Sequence, residues 1–125
     1  MRTDKQDLPY KDIRVRQALT MAIDYNAVIN QYLGGPDNAY IIGYPVAPEG
    51  DLKRFLPAFE ELPKSTRDLY GYNPERAKQL LKEAGYPNGF PANIIVSSTG
   101  NNADTVAIIA AMWEKIGVRL SIQLK

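Results

Sequence analysis

A strand, a helix and a second strand are predicted in succession over residues 94–124, and this unit constrains the fold more than any other segment. Ile94-Ile95-Val96 is a β-branched run bounded by turn residues, which favours a strand. Apolar residues then recur at helical spacing, at Val106, Ile109, Ala110, Trp113 and Ile116. Apolar and polar residues alternate from Val118 to Leu124, which is typical of a second strand. Because a helix joins the two strands, we expect them to be parallel and adjacent, with the helix packed on one face.

Two short helices are predicted near the start of the chain, with a bend at Asp24. Asp12 suits the N-cap position of the first helix, and Asp24 offers a second N-cap. The first helix carries one apolar stripe, formed by Val15, Ala18, Leu19, Ala22 and Ile23. Gly34-Gly35 ends the second helix. One continuous helix is the alternative interpretation.

A third helix is predicted between Asn73 and Gly85. Asn73 suits the N-cap position and Pro74 suits the first helical position. The buried stripe comprises Ala77, Leu80, Leu81 and Ala84. Gly85 is expected to end the helix in the left-handed conformation, with Tyr86 in contact with Leu81.

The segment from Gly34 to Tyr72 is predicted to be irregular, apart from a short helix near Asp51–Phe55. It holds five of the nine prolines, which interrupt helices and central strands. It also holds six of the twelve aromatic residues, too many for a solvated linker. These aromatic residues either pack on the domain's own helices or line a ligand cleft, and some are expected on a surface that a larger protein buries.

Composition excludes several classes of function. The net charge of +1, without a basic cluster, argues against nucleic-acid binding. The chain has no histidine and no cysteine, so the usual zinc and iron–sulfur ligands and the Ser–His and Cys–His nucleophile pairs are absent. We therefore expect no enzymatic activity, no catalytic residue, no metal and no cofactor. No apolar run reaches the ~18 residues of a membrane span, and the first residues lack the apolar core of a signal peptide.

The fold class is therefore α/β, with N-terminal helices, a long irregular loop and a C-terminal β-α-β unit whose strands are parallel. Residues 1–125 are expected to form a single domain. A two-stranded sheet is too small to close a core by itself. Together with the apolar irregular segment, this predicts that the chain is part of a larger protein.

A polar loop between the first strand and the helix after it is the candidate binding site. Open α/β sheets bind ligands at the carboxyl ends of their strands. The candidate ligand-binding residues of this loop are Ser97, Ser98, Thr99, Asn101 and Asn102. The alternative is an ordinary capping loop in which Asn102 is the N-cap. The loop lacks a phosphate-loop signature, since no lysine follows its glycine.

Three stretches, in order, resemble signatures of the family 5 extracellular solute-binding proteins. Residues 12–24, DIRVRQALTMAID, resemble the pattern D-x-R-V-R-x-A-L-x-x-A-I-D, although Tyr25 follows where a basic residue is frequent. Residues 72–86, YNPERAKQLLKEAGY, resemble Y-D-P-E-K-A-K-x-L-L-x-E-A-G-Y, with Asn73 in place of the common Asp. Residues 116–120, IGVRL, resemble the I-G-I-x-V strand.

This resemblance implies a periplasmic-binding-protein-like fold and a non-catalytic role in transport. The chain would form part of the second lobe of a two-lobed receptor that captures peptides or similar small solutes and docks on the permease of an ABC importer. The receptor would be periplasmic or extracellular, with or without a lipid anchor, and this segment would not insert into the membrane. A sensor or interaction domain that uses the same lobe outside transport is the alternative.

Overall fold

The computed structural model describes residues 7–39, 41, 54–99 and 102–125. The helices are α1 (Ile13–Met21), α2 (Tyr25–Tyr32), α3 (Lys64–Leu69), α4 (Pro74–Glu83) and α5 (Asn102–Glu114), with short 3-10 helices at Pro9–Lys11 and Phe59–Glu61. The strands are β1 (Pro91–Val96) and β2 (Arg119–Leu124). Among the described residues no helix is long and apolar enough to cross a membrane.

The two predicted N-terminal helices are confirmed, each with its aspartate cap. The Asp12 carboxylate accepts a hydrogen bond from the main-chain N–H of Arg14, and the Asp24 carboxylate accepts one from that of Ala27. The predicted stripe of α1 is buried throughout. The apolar face of α2 is buried only at Val28, while Tyr32 and Leu33 near its end are exposed. The core contact of α2 is therefore confined to its first half.

Helix α4 packs along α1 and ends as the sequence predicts. Asn73 caps its N-terminus through a hydrogen bond from the main chain of Arg76. At the other end the main-chain N–H of Tyr86 donates to the carbonyl of Leu81 over 2.8 Å, while Gly85 adopts φ 93°. This is a Schellman cap, in which a left-handed glycine lets the chain turn back over the last carbonyls.

Arg14 links α1 and α4, the two helices that carry the family-like signatures. Its Nη1 donates to the main-chain carbonyl of Glu83 over 2.8 Å, and its Nη2 forms an ion pair with Asp12 over 2.6 Å. Arg16 donates to the carbonyls of Tyr10 and Lys11. These hydrogen bonds hold the entry to α1 and the exit of α4, so the charged residues of the first signature have a structural role here.

The sheet is two-stranded and parallel, as predicted. Pro91 of β1 pairs with Arg119 of β2, and the register runs in step to Val96 and Leu124. β1 begins three residues earlier than the Ile94 start that the sequence suggested, because proline is tolerated as the first residue of a strand. The register places Ala92 and Val96, which are buried, on the same face as Leu120.

Helix α5 connects the strands and packs against the sheet, but its stripe is less buried than predicted. Val106, Ile109, Ala110 and Trp113 are half-buried, and only Ile116, which lies beyond the end of α5, is buried. The physical reason is the width of the sheet, since two strands cover only part of a helix face. Asn102 is the first residue of α5, so it does not take the N-cap position that the alternative interpretation of the loop gave it.

The segment from Gly34 to Tyr72 is irregular where the structure describes it, apart from one short 3-10 helix and α3. The six-residue helix α3 was not predicted, and it begins directly after Pro63. Most of the short helix predicted near Asp51–Phe55 lies outside the described residues. Phe59 and Tyr25 both contact the ring of Tyr70, with centroid distances of 5.7 and 5.4 Å. Two aromatic residues of this segment therefore pack on the domain itself, whereas Phe55 is 80% exposed.

Candidate functional site

The polar loop after β1 lies at the carboxyl edge of the sheet, where the sequence placed it. The strand pairing continues into the loop, since the main-chain N–H of Ser98 donates to the carbonyl of Lys125 over 2.8 Å. In turn the N–H of Lys125 donates to the carbonyl of Val96 over 2.9 Å. The first two loop residues are thus held by the main chain of the neighbouring strand.

A local hydrogen-bonded turn shapes the loop. The hydroxyl groups of Ser97 and Thr99 are 2.8 Å apart, and the main-chain N–H of Thr99 donates to the Ser97 hydroxyl over 3.3 Å. The Asn102 amide donates weakly to the carbonyl of Thr99 over 3.4 Å. Serine and threonine hydroxyls commonly make such turns with the main chain that follows them.

The structure brings Ser97, Ser98, Thr99 and Asn102 together on an exposed surface, and Asn101 lies outside the described residues. The hydroxyl of Ser98 has no hydrogen-bond partner within the described part of the chain. The four described side chains are neutral and can both donate and accept hydrogen bonds. Such groups can orient the amide and carbonyl groups of a ligand, and they provide no nucleophile–base pair.

Lys125 is one residue of this edge that the sequence reasoning missed. It follows Leu124, which pairs with Val96, so it lies opposite Ser97 at the same edge of the sheet. Its main chain bonds to the residues on both sides of Ser97, so the backbone of Lys125 belongs to the same edge as the loop. The signal was available, because in-register parallel strands bring the residues after both strands to one edge.

Within residues 7–39, 41, 54–99 and 102–125, no group of three or more acidic, histidine or cysteine side chains could hold a metal ion. The charged group in the first turn of α5 is the carboxylate of Asp104. The neutral groups of the described loop can donate and accept hydrogen bonds.

The whole chain, residues 1–125, matches the family model described as bacterial extracellular solute-binding proteins, family 5 Middle. The chain belongs to this family. This family 5 chain is 35% identical to heme-binding protein A of Haemophilus influenzae over 116 residues, which are 89% of this chain and 19% of that protein. It is 34% identical to the dipeptide-binding protein of Escherichia coli in an alignment that covers 94% of this chain and 21% of that protein.

Two solved structures resemble the family 5 chain in fold. The structure of HbpA2 from Haemophilus parasuis superposes with a TM-score of 0.62 at 31% sequence identity. The match covers 95% of this chain and 22% of HbpA2. The periplasmic binding protein DppA from Helicobacter pylori, in complex with the peptide STSA, matches 96% of this chain with 21% of its own length, at 29% identity and a TM-score of 0.60. The predicted periplasmic-binding-protein-like α/β fold is thus confirmed.

The chain spans about a fifth of the length of these relatives. Heme-binding protein A, the dipeptide-binding protein and DppA are each described as binding proteins. The alignments with these proteins cover 89–96% of this chain.

Proposed function

We propose that this chain forms part of a lobe of the solute-binding component of an ABC importer, and that it captures peptides or similar small solutes without changing them chemically. The observation that carries the proposal is the match of the full chain to family 5, together with its similarity in fold to a binding protein solved with a bound peptide. Relatives named for dipeptide and oligopeptide binding support the same solute class.

The loop Ser97–Asn102 is the part of the ligand cleft that this chain contributes. Its described side chains offer neutral donors and acceptors, which suit the main-chain groups of a peptide. It lies at the carboxyl end of β1, where open α/β sheets place their ligands. The hydroxyl of Ser98 is the group best placed to reach a ligand, because the described structure gives it no other partner.

The remaining parts of the proposal concern the longer protein. It would have two lobes that close on the solute, act in the periplasm or at the cell surface, with or without a lipid anchor, and deliver its load to a membrane permease. Closure of two domains around a ligand excludes solvent and completes the set of contacts. One lobe alone supplies only part of these contacts with the ligand.

Calorimetric titration with a mixed library of di- to pentapeptides tests the proposal on two proteins. The longer protein from the same gene should bind peptides tightly. Residues 1–125 alone should bind them with a dissociation constant weaker than micromolar, because one lobe leaves most of the ligand in water, where each hydrogen bond contributes little. Tight binding by the isolated chain, or none by the longer protein, would contradict the proposal.

The role of the loop is tested in the longer protein with Ser98→Ala. Loss of one neutral hydrogen bond should weaken peptide binding by about 2–10-fold. Ser121→Ala is the matched control, because Ser121 is an exposed serine in the middle of β2, away from the carboxyl edge. If the two substitutions had equal effects on peptide binding, the loop would not be part of the binding site. The proposal that the longer protein is a receptor would be unaffected.

A further inference from the structure

An open groove of about 630 Å³ lies between α1, α3 and α4, on a part of the domain that shares no residue with the candidate loop. Its lining includes Met21 of α1 and Leu80 of α4, two largely buried apolar residues of the core. Tyr72 and Gly71 form one end, in the turn before α4. The volume lies within the range of about 300–1,000 Å³ that small-molecule sites occupy.

Positive charge is concentrated along this groove. Its lining includes the cationic side chains of Lys64, Arg67 and Arg76 and one carboxylate, that of Asp68. The whole chain carries a net charge of only +1, so the groove is more positive than the rest of the chain on balance. A concave surface with an excess of one sign of charge attracts ligands of the opposite sign.

Arg67 is held in a position that leaves its binding groups available. Its Nε donates to the main-chain carbonyl of Leu62 over 3.0 Å, which orients the guanidinium group. Its two terminal nitrogens have no hydrogen-bond partner among the described residues. A guanidinium fixed in this way can donate two parallel hydrogen bonds to a carboxylate.

The other two cationic side chains, those of Lys64 and Arg76, form only exposed ion pairs. Lys64 pairs with Asp68 at 2.6 Å, but the two side chains are 79% and 53% exposed. Arg76 pairs with Glu83 at 3.3 Å, and both side chains are also well exposed. Exposed ion pairs of this kind contribute little to stability, so an incoming anion can displace them. The side-chain amide of Gln17, on α1, adds a polar group without a partner in the described structure.

We propose that this groove is a second binding site, for a small carboxylate that carries an apolar body. The carboxylate pairs with Arg67, assisted by Lys64 and Arg76, and the apolar body covers Met21 and Leu80. The site is separate from the peptide cleft and does not depend on the transport function.

Ligand-observed NMR with the 125-residue chain tests this site, using 4-phenylbutyrate and its uncharged analogue 4-phenylbutyramide as probes. The carboxylate should bind, and the amide should bind about tenfold more weakly, because charge-assisted hydrogen bonds are roughly twice as strong as neutral ones. Added salt should weaken the binding of the carboxylate, since the charges are near the surface. Equal binding of both probes, or binding of neither, would overturn the proposal.

Single substitutions test whether 4-phenylbutyrate binds in the groove. Arg67→Gln should weaken the binding of 4-phenylbutyrate about tenfold, through loss of the paired guanidinium. Lys78→Gln is the matched control, since Lys78 lies on α4, outside the groove, in an exposed pair with Glu75, and should leave binding unchanged. Ser98→Ala should also leave it unchanged, whereas a loss there would assign the probe to the cleft loop and refute a second site. Sedimentation equilibrium measures whether the chain forms a dimer. A dimer that dissociates when 4-phenylbutyrate is added would show that a second copy of the chain, rather than a small carboxylate, normally occupies the groove.

Discussion

The indole Nε1 of Trp113 donates a hydrogen bond of 2.9 Å to the main-chain carbonyl of Leu19. Leu19 lies in the last turn of α1, where carbonyl groups have no partner within their own helix. The next-but-one carbonyl, that of Met21, accepts from the main-chain N–H of Asn73 over 2.9 Å. The end of α1 is therefore capped by α5 and by the start of α4, which ties the N-terminal helices to the β-α-β unit.

Trp113→Phe and Trp113→Ala should separate this hydrogen bond from the packing of the ring. The phenylalanine variant retains most of the apolar contact but leaves the Leu19 carbonyl unpaired, so its unfolding free energy should fall by about 1 kcal/mol. The alanine variant also opens a cavity and should lose about 3 kcal/mol, the lower end for such changes, because Trp113 is half-buried. Urea denaturation measures both. Equal losses in the two variants would show that the hydrogen bond carries the whole effect.

Gly89 and Gly117 should tolerate no side chain, because the turns before β1 and β2 touch through their main chains. A Cβ added to Gly89, which has φ 71°, would lie 2.0 Å from the carbonyl oxygen of Gly117. Gly89→Ala should therefore destabilise the chain by more than about 3 kcal/mol, from backbone strain and displaced main chain together. Gly85→Ala is the control: Gly85 has φ 93° but open space around it, so only strain of about 1–2 kcal/mol is expected. Thermal unfolding compares the two variants, and a similar Tm for both would refute the close contact.

Asp12 should make folding sensitive to acid. Hydrogen bonds from the side chain and main chain of Arg14 lower the pKa of the Asp12 carboxyl from 3.8 to about 2. A depressed pKa stabilises the folded state above pH 3.8, and that stability is lost as the pH falls towards about 2. Asp12→Asn, which retains a good N-cap, should make the unfolding free energy less dependent on pH over that interval. An unchanged acid slope in this variant would argue against the Asp12–Arg14 pair.

Tyr25 should make folding sensitive to alkaline pH. Burial, with a smaller contribution from Tyr70, raises the pKa of the Tyr25 phenol from 10.0 to about 12. A raised pKa contributes stability below pH 10 that is lost as the pH rises to about 12, since the unfolded chain releases its proton first. In Tyr25→Phe, the decline in stability over this range should be smaller, and the ultraviolet titration should lose one late-ionising tyrosine. Tyr32→Phe, at an exposed tyrosine of the same helix, is the control.

Local chemistry was sufficient to predict most of the elements. The caps at Asp12, Asp24 and Asn73 and the left-handed Gly85 depend on neighbours within a few residues, so the sequence alone determines them. The alternation before Leu124 likewise predicted β2 and, with the intervening helix, its parallel pairing with β1. The position of Ser97–Asn102 at the carboxyl edge followed from the same order of elements.

Only the tertiary structure decided which groups meet across long separations. The hydrogen bonds from Arg14 to the Glu83 carbonyl and from the Trp113 indole to the Leu19 carbonyl join residues that no local pattern relates. The partial burial of α5 also depends on how many strands it packs against, and the number of strands cannot be predicted from the apolar pattern of the helix. Periodicity specifies the face that a helix can bury, whereas the amount it buries and the partners of its polar groups are set by the elements that pack around it.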